Sequence, residues 1–164
     1  SNNKVVIVDV TDKSNPELIA TKSYGGSGYA HQSWLSSDHK YLFFGDELDE
    51  YYFGGNTKTF VFDMTNLSEP LLSFTYNGTT TAIDHNGYVV GGLYYLSNYT
   101  AGLRVMDISQ IQNKAMDEVM YFDTYPESDL SSFDGVWNIY PFFQSGIIAI
   151  SDGQSGLFLV KASD

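Results

Sequence analysis

The sequence predicts an all-β fold, namely a β-propeller segment of four-stranded antiparallel blades, and two observations carry this prediction. The first is a short strand-like pattern that recurs four times, at residues 4–11, 58–65, 102–109 and 155–163. When the copies are aligned, Asp9, Asp63, Asp107 and Lys161 share one register, at steps of 54, 44 and 54 residues. The second is the composition, because 16% aromatic residues and 15 glycines favour strands and turns. Self-similarity at such a period is typical of repeat architectures.

Each copy of the pattern predicts the third strand of a blade, followed by a turn and a fourth strand. Residues 5–8 are all β-branched, which suits a pleated and mostly buried surface. Pro16 then removes a backbone donor, so this strand must stop before the next one starts near residue 18. Pro70 stands at the same place in the second copy. The third copy lacks the proline, and we expect a short helical turn there.

A second repeated signal lies upstream and predicts the first two strands of each blade. It appears at His31–Trp34, His85–Tyr88 and Trp137–Tyr140, each followed by a hairpin-like aromatic strand. Within one domain over residues 1–164, this predicts a partial blade at 4–24, full blades at 30–76 and 82–124, and a partial blade at 134–161. A closed propeller usually needs four or more blades. We therefore expect the remaining blades to come from the same longer chain or from a second chain.

Charge and composition exclude several classes of function. The 164 residues carry a net charge of −12, so nucleic acid and anionic membranes are poor partners. There is no cysteine, which excludes thiolate metal sites and thiol nucleophiles. No apolar run approaches membrane-spanning length, so no membrane insertion of this segment is expected. The G-x-S-x-G and H-E-x-x-H motifs are absent from the sequence, and we predict no catalytic residue from a motif.

Several stretches of the chain resemble the LVIVD-repeat propellers, and within them the bacterial choice-of-anchor B family. The stretch VVIVDVTDKSNP, at residues 5–16, is close to the namesake strand and turn of the repeat. Residues 30–47, 84–109, 121–129 and 135–160 look like successive parts of that family's conserved region. The resemblance implies an exported protein with an extracellular or cell-surface location, and it implies no defined molecular function.

Two histidines occupy the same place in consecutive predicted blades and are candidate ligand-binding residues. In a propeller the first strand of each blade lines the central channel, so His31 and His85 could face a common axial site. Neutral imidazole is the commonest metal ligand among side chains and a ready acid or base. The alternative, which we favour from sequence, is structural: each ring bonds a carboxylate or backbone group, with Asp63 and Asp107 as the candidates. The next copy has Trp137 at this position, which weakens a symmetric ring of metal ligands.

The stretch GDELDEYYFGGN is the most unusual predicted loop. Its four carboxylates make it a candidate site for calcium, because hard cations take several oxygens from a flexible loop. These candidate metal ligands are Asp46, Glu47, Asp49 and Glu50. The alternative is a solvated acidic insertion. The adjacent Tyr51 and Tyr52 are candidate ligand-binding residues that could stack on a sugar or a peptide.

Three hypotheses of function follow from the sequence. The first, which we favour, is a surface-exposed interaction module that binds a protein, peptide or glycan. The second is a metal-assisted hydrolase or lyase whose site at the channel mouth uses His31, His85 and acidic loop residues. The third is a structural spacer in an exported protein. Fold alone does not choose among them.

Overall fold

The computed structural model describes residues 3–162, and these residues form four antiparallel sheets of two, four, four and three strands. The first sheet pairs β1 (Val5–Asp9) with β2 (Glu17–Lys22). The second has the order β3 (Ala30–Leu35), β4 (Tyr41–Asp46), β5 (Lys58–Asp63) and β6 (Leu71–Asn77). The third has the order β7 (Gly87–Val90), β8 (Leu93–Ser97), β9 (Leu103–Asp107) and β10 (Asp117–Phe122). The fourth has the order β11 (Val136–Tyr140), β12 (Ile147–Asp152) and β13 (Gly156–Lys161).

These sheets confirm the predicted fold class of two full blades and two partial blades. Two short helices complete the described elements: α1 (Asp49–Phe53) between β4 and β5, and a 3₁₀ helix (Ile111–Asn113) between β9 and β10. The 3₁₀ helix stands where the sequence predicted a helical turn in place of the missing proline. Within residues 3–162, no helix is long and apolar enough to cross a membrane.

The hydrophobic core lies between neighbouring sheets, and side-chain alternation along each strand explains why. In β4, Leu42 and Phe44 pack toward the first sheet, whereas Phe43 packs against Tyr94 of the third sheet. Successive side chains of a strand point to opposite faces, so one strand contributes to two core layers. A third layer, which includes Val105 and Ile150, joins the third and fourth sheets. Each full blade is thus packed on both faces, as in a propeller.

The inner strands of neighbouring blades are linked by a side chain that imitates strand pairing. Gln32 on β3 donates its Nε2–H to the carbonyl of Gly87, and the backbone N–H of Gly87 donates to Gln32 Oε1 at 2.9 Å. This reciprocal pair of bonds fixes β3 beside β7. The candidate histidines of the two blades are thereby brought together.

The aspartates that end the third strands do not bond the histidines, so this part of the prediction was wrong. Asp63 accepts hydrogen bonds from the backbone N–H and the hydroxyl of Thr65, at 2.9 and 2.7 Å. Asp107 likewise accepts from the backbone of Ser109 at 2.7 Å. Each carboxylate closes the turn that follows its own strand, as Asp side chains commonly do. These bonds lower the pKa of both aspartates.

Candidate functional site

Two imidazoles and one carboxylate converge where the second and third sheets meet. His31 lies on β3, Glu47 directly follows β4, and His85 lies just before β7 rather than within a strand. His31 Nδ1 is 3.3 Å from Glu47 Oε2, and His85 Nε2 is 3.6 Å from Glu47 Oε1. The two imidazole rings are stacked, with their centroids 4.4 Å apart. One potential ligand atom from each residue lies within 4.8 Å of the others, so a single metal ion could contact all three.

The backbone around His85 fixes both its position and the nitrogen that carries the proton. The His85 N–H donates to the carbonyl of Ser97 at 2.9 Å, which extends the pairing of β7 with β8. His85 Nδ1 is 2.5 Å from the carbonyl oxygen of Trp137, and Asn86 Nδ2 lies 3.0 Å away on the same side. Because the Trp137 carbonyl only accepts and lies closer to Nδ1 than Asn86 Nδ2, which itself donates to that carbonyl at 3.5 Å, we assign the proton to Nδ1. The lone pair on Nε2 then faces Glu47.

The charge balance of this site favours a neutral His85. Burial lowers the pKa of His85, and nearby His31 lowers it further, although the Trp137 carbonyl and the Glu47 carboxylate raise it. The net direction is downward, because only 3% of the His85 side chain is exposed. His31 is more open, at 24% exposure, and it also lines a cleft of about 860 Å³ beside β1. Solvent or a ligand therefore reaches the site from the His31 side.

Glu47 is held by a tyrosine in a rare backbone conformation. The hydroxyl of Tyr99 donates to Glu47 Oε1 at 2.7 Å, and the tyrosine is buried. Tyr99 has φ +26°, outside the regions that ordinary residues prefer. The carbonyl of Tyr99 accepts hydrogen bonds from Gly102 and Val136, both at 3.0 Å, which hold it in place. Burial and the hydrogen bond to Glu47 raise the pKa of Tyr99, so its hydroxyl stays a donor.

Aromatic side chains surround the cluster of His31, Glu47 and His85. The ring of Trp137, which is 54% exposed, has its centroid 4.6 Å from that of His85. Tyr29 lies 5.8 Å from His31, and Phe133 packs edge-on against Tyr99. The structure therefore brings Trp137 to His85, both through its ring and through its carbonyl.

Tyr51 and Tyr52, the other candidate ligand-binding residues, lie at the edge of this surface. Both are on α1 and are 57% and 60% exposed. The ring centroid of Tyr51 is 5.8 Å from that of Phe133, so the aromatic surface continues from Trp137 to α1.

The acidic segment is neither solvated nor a single site, contrary to both sequence interpretations of it. Asp46 is fully buried and has a structural role. It accepts hydrogen bonds from the Tyr24 hydroxyl at 2.6 Å and from the backbone of Gly28 and Tyr29 at 2.8 and 2.5 Å. Asp152 stands at the corresponding place at the end of β12, where it accepts hydrogen bonds from the hydroxyl of Thr124 and from the backbone of the turn that follows. Glu47 instead faces the two histidines. Asp46 and Glu47 therefore do not bind a common ligand.

Asp49 and Glu50 join a residue that sequence reasoning missed. They cluster with Asp84, and all three carboxylates are buried. Lys58 Nζ lies 2.7 Å from Asp49 Oδ2 and 3.8 Å from Glu50 Oε1. Burial beside Asp49 raises the pKa of Glu50 to about 9. No motif marks Asp84, because it lies in the connection between β6 and β7.

Comparisons with known proteins agree with a β-propeller fold and identify one LVIVD repeat. The family model of the LVIVD repeat matches residues 1–22. A methanethiol oxidase from Hyphomicrobium sp. is 33% identical over 96 residues, which is 57% of this chain and 20% of that protein. The structure of the Pseudomonas aeruginosa periplasmic gluconolactonase PpgL matches 96% of this chain and 49% of its own, with a TM-score of 0.66 and 17% identity.

The chain thus spans about a fifth of the methanethiol oxidase and about half of PpgL. The likeness to PpgL shows the fold alone. Membership of the choice-of-anchor B family, export to the cell surface and completion of the propeller by further blades stay predictions.

Proposed function

We propose that the protein is a metal-dependent enzyme acting on a small organic molecule, with the metal ion held by His31, Glu47 and His85. The observation that carries the proposal is the approach of His85 Nε2 to Glu47 Oε1, at 3.6 Å. With its proton on Nδ1, His85 presents a lone pair to a carboxylate oxygen, which also only accepts. The His85 side chain is 3% exposed and that of Glu47 is 13% exposed, and two acceptors that face each other with so little solvent favour a proton or a cation between them.

The surroundings of His85 support a cation at this position. A metal-binding histidine characteristically donates its other ring N–H to a carbonyl or carboxylate, which fixes the tautomer and the ring orientation. The bond from His85 Nδ1 to the Trp137 carbonyl has this form. The hydrogen bond from Tyr99 to Glu47 orients the carboxylate in the same way. Three donors leave further coordination positions for a substrate.

The donor set selects the class of metal and of chemistry. Two imidazole nitrogens and one carboxylate suit zinc, iron or copper better than calcium or magnesium. Such an ion polarises a bound group, activates water or exchanges electrons. The similarity to a methanethiol oxidase supports an oxidative reaction on a small molecule, and we propose a small organic thiol as the first substrate class to test. The exposed ring of Trp137 would contact its apolar part.

Metal titration tests the proposal. Calorimetry of chelator-treated protein with zinc, copper and iron(II) should show one ion bound per chain, with affinity reduced at least about tenfold in His85→Ala. His39→Asn is the matched control, since His39 is exposed and its φ of +58° suits asparagine. Consumption of methanethiol in the presence of oxygen should require the bound metal. Unchanged metal affinity in His85→Ala would contradict the proposed site.

An interaction module is a second candidate, supported by a different observation. Tyr51, Tyr52 and Phe53 form an exposed aromatic edge on α1, at 57%, 60% and 63% exposure. Such rings favour binding of a protein, a peptide or a glycan. If this candidate is right, Tyr52→Ala abolishes capture of glycans or peptides on an array, whereas His85→Ala does not.

A further inference from the structure

A second polar cluster, separate from the imidazoles, is buried at the junction of the second and third sheets. It consists of Asp49 and Glu50 on α1 and Asp84 in the connection between β6 and β7. These residues are 2%, 1% and 1% exposed. One potential ligand atom from each lies within 4.8 Å of the others. Three carboxylates so close together in an apolar interior need neutralisation.

The hydrogen bonds within the described chain satisfy only two of the six carboxylate oxygens of the cluster. Glu50 Oε1 accepts the backbone N–H of Lys58 at 3.0 Å, and Asp49 Oδ2 accepts Lys58 Nζ at 2.7 Å. Among residues 3–162, no donor reaches Asp49 Oδ1, Glu50 Oε2 or either carboxylate oxygen of Asp84. Nearly all buried polar atoms in folded proteins have a partner, so four orphaned oxygens at one place point to a missing one.

The side chain of Asp84 occupies space that is free because β4 has a glycine, Gly45, at this position. A Cβ atom at Gly45 would collide with Asp84 Oδ2, so only glycine admits the carboxylate at this position. Thr59 lies opposite Gly45 in the β4–β5 register, and its hydroxyl is also buried without a partner among the described residues. A glycine beside a buried, unbonded carboxylate indicates that the position of Asp84 is specified by the fold.

We propose that Asp49, Glu50 and Asp84 bind a single calcium ion. Three carboxylates and the one ammonium group of Lys58 leave two uncompensated negative charges, which one divalent cation balances. All the free donors are oxygens, the ligands of hard cations. Calcium is favoured over magnesium, because magnesium demands near-ideal octahedral geometry and keeps several waters, whereas this site is closed to solvent. The inference concerns a site distinct from the one formed by His31, Glu47 and His85.

Protonation is the competing way to neutralise the cluster. Burial and the neighbouring carboxylates raise the pKa of Asp84 well above its ordinary value, and that of Glu50 is raised as well. Shared protons would make the site indifferent to calcium. The two alternatives therefore differ in one measurable property, which is the response of the protein to added calcium.

Calorimetric titration and thermal melts of chelator-treated protein separate these alternatives. We expect one calcium ion per chain and, at a hundredfold excess over Kd, a rise in Tm of about 5–10 °C. Magnesium should bind at least about tenfold more weakly. A Tm and a heat signal that do not respond to millimolar calcium would overturn the proposal in favour of shared protons.

The Asp84→Asn variant tests whether the ion is bound at this cluster. It keeps the shape of the side chain, removes one charge and should weaken calcium binding at least about tenfold. Asp38→Asn is the matched control, because Asp38 is an exposed carboxylate 3.4 Å from Lys40 and should bind no ion. Calcium affinity that is equal in the wild type and Asp84→Asn would place the ion elsewhere and refute the assignment.

Two further measurements keep the test decisive if Asp84→Asn does not fold. Terbium bound by the wild-type protein should show luminescence sensitised by the nearby tyrosines, and calcium should displace it. His31→Gln should keep the full calcium response, since imidazole is not a ligand of this site. Loss of the calcium response in His31→Gln, or terbium that calcium does not displace, would contradict a separate calcium site.

Discussion

Replacement of Asp46 by alanine should destabilise the fold more than removal of any exposed carboxylate. The side chain is fully buried at the end of β4, where sequence reasoning placed a calcium ligand. Its two oxygens accept four hydrogen bonds, from the Tyr24 hydroxyl and from the backbone of Gly28, Tyr29 and Leu48. These bonds tie the connection between β2 and β3 to the second sheet.

The expected loss follows from the donors left behind. A buried donor without a partner costs about 1–3 kcal/mol. The Tyr24 hydroxyl has the largest cost, since the ring is buried among Phe44 and Phe60. The half-buried backbone donors would be rehydrated in part once the loop moves. We therefore expect a loss of about 3–5 kcal/mol in the free energy of unfolding, at the upper end for single substitutions. For a chain of this size, the corresponding fall in Tm is roughly 6–20 °C.

Urea unfolding followed by circular dichroism, together with thermal melts, measures this loss. Glu69→Ala is the control, because Glu69 is exposed and its removal changes the net charge equally. A double-mutant cycle with Tyr24→Phe should show a coupling of at least about 0.5 kcal/mol between the two side chains. A loss below about 1 kcal/mol in Asp46→Ala, or loss of calcium binding with unchanged stability, would refute the structural role of Asp46.

Three further predictions concern residues that hold connections and neighbouring strands in place. Gln32→Ala removes both bonds to Gly87 and should lower stability by about 1–3 kcal/mol in urea unfolding, whereas Gln32→Glu should restore part of it. Asp63→Ala should cost about 0.5–1.5 kcal/mol at pH 7. Its native pKa is lowered by the hydrogen bonds it accepts, so the contribution is complete above about pH 4 and the difference from wild type should shrink as the pH falls further. Gly135→Ala should reduce thermal stability, since Gly135 has φ +89° and a Cβ there would collide with the Tyr99 carbonyl; a melt like that of the wild type would contradict this.

The order and pairing of the strands could be predicted from sequence because they depend on local patterns that recur. Residues 58–63 and 102–107 carry the same strand-like run of residues and the same terminal aspartate, so the two strands were aligned on that aspartate. Helix α1 was not predicted. The segment was interpreted as a loop, either a calcium site or a solvated acidic insertion, because charged residues such as Asp49 and Glu50 are rarely buried.

The candidate site was predicted only in part, because its contacts join residues far apart in the chain. The shared position of His31 and His85 in the repeat predicted that they could meet. The identity of their partner could not be predicted, since Glu47 reaches both rings from the connection between β4 and β5 within the second sheet. Asp84 lies in the connection between β6 and β7, outside the recurring third-strand pattern, and only the packing of one blade on the next brings it to α1.

The four carboxylates within residues 46–50 lie in three separate environments, and this arrangement couples the binding of ions at two of them. Asp46 anchors a loop, Glu47 faces the imidazoles, and Asp49 and Glu50 face Asp84. A cation that immobilises Asp49 and Glu50 also immobilises the peptide that carries Glu47. A second ion bound at the imidazoles then costs less conformational entropy. We therefore expect the two proposed ions to bind with positive cooperativity although they share no ligand. By linkage, each must raise the affinity for the other by the same factor.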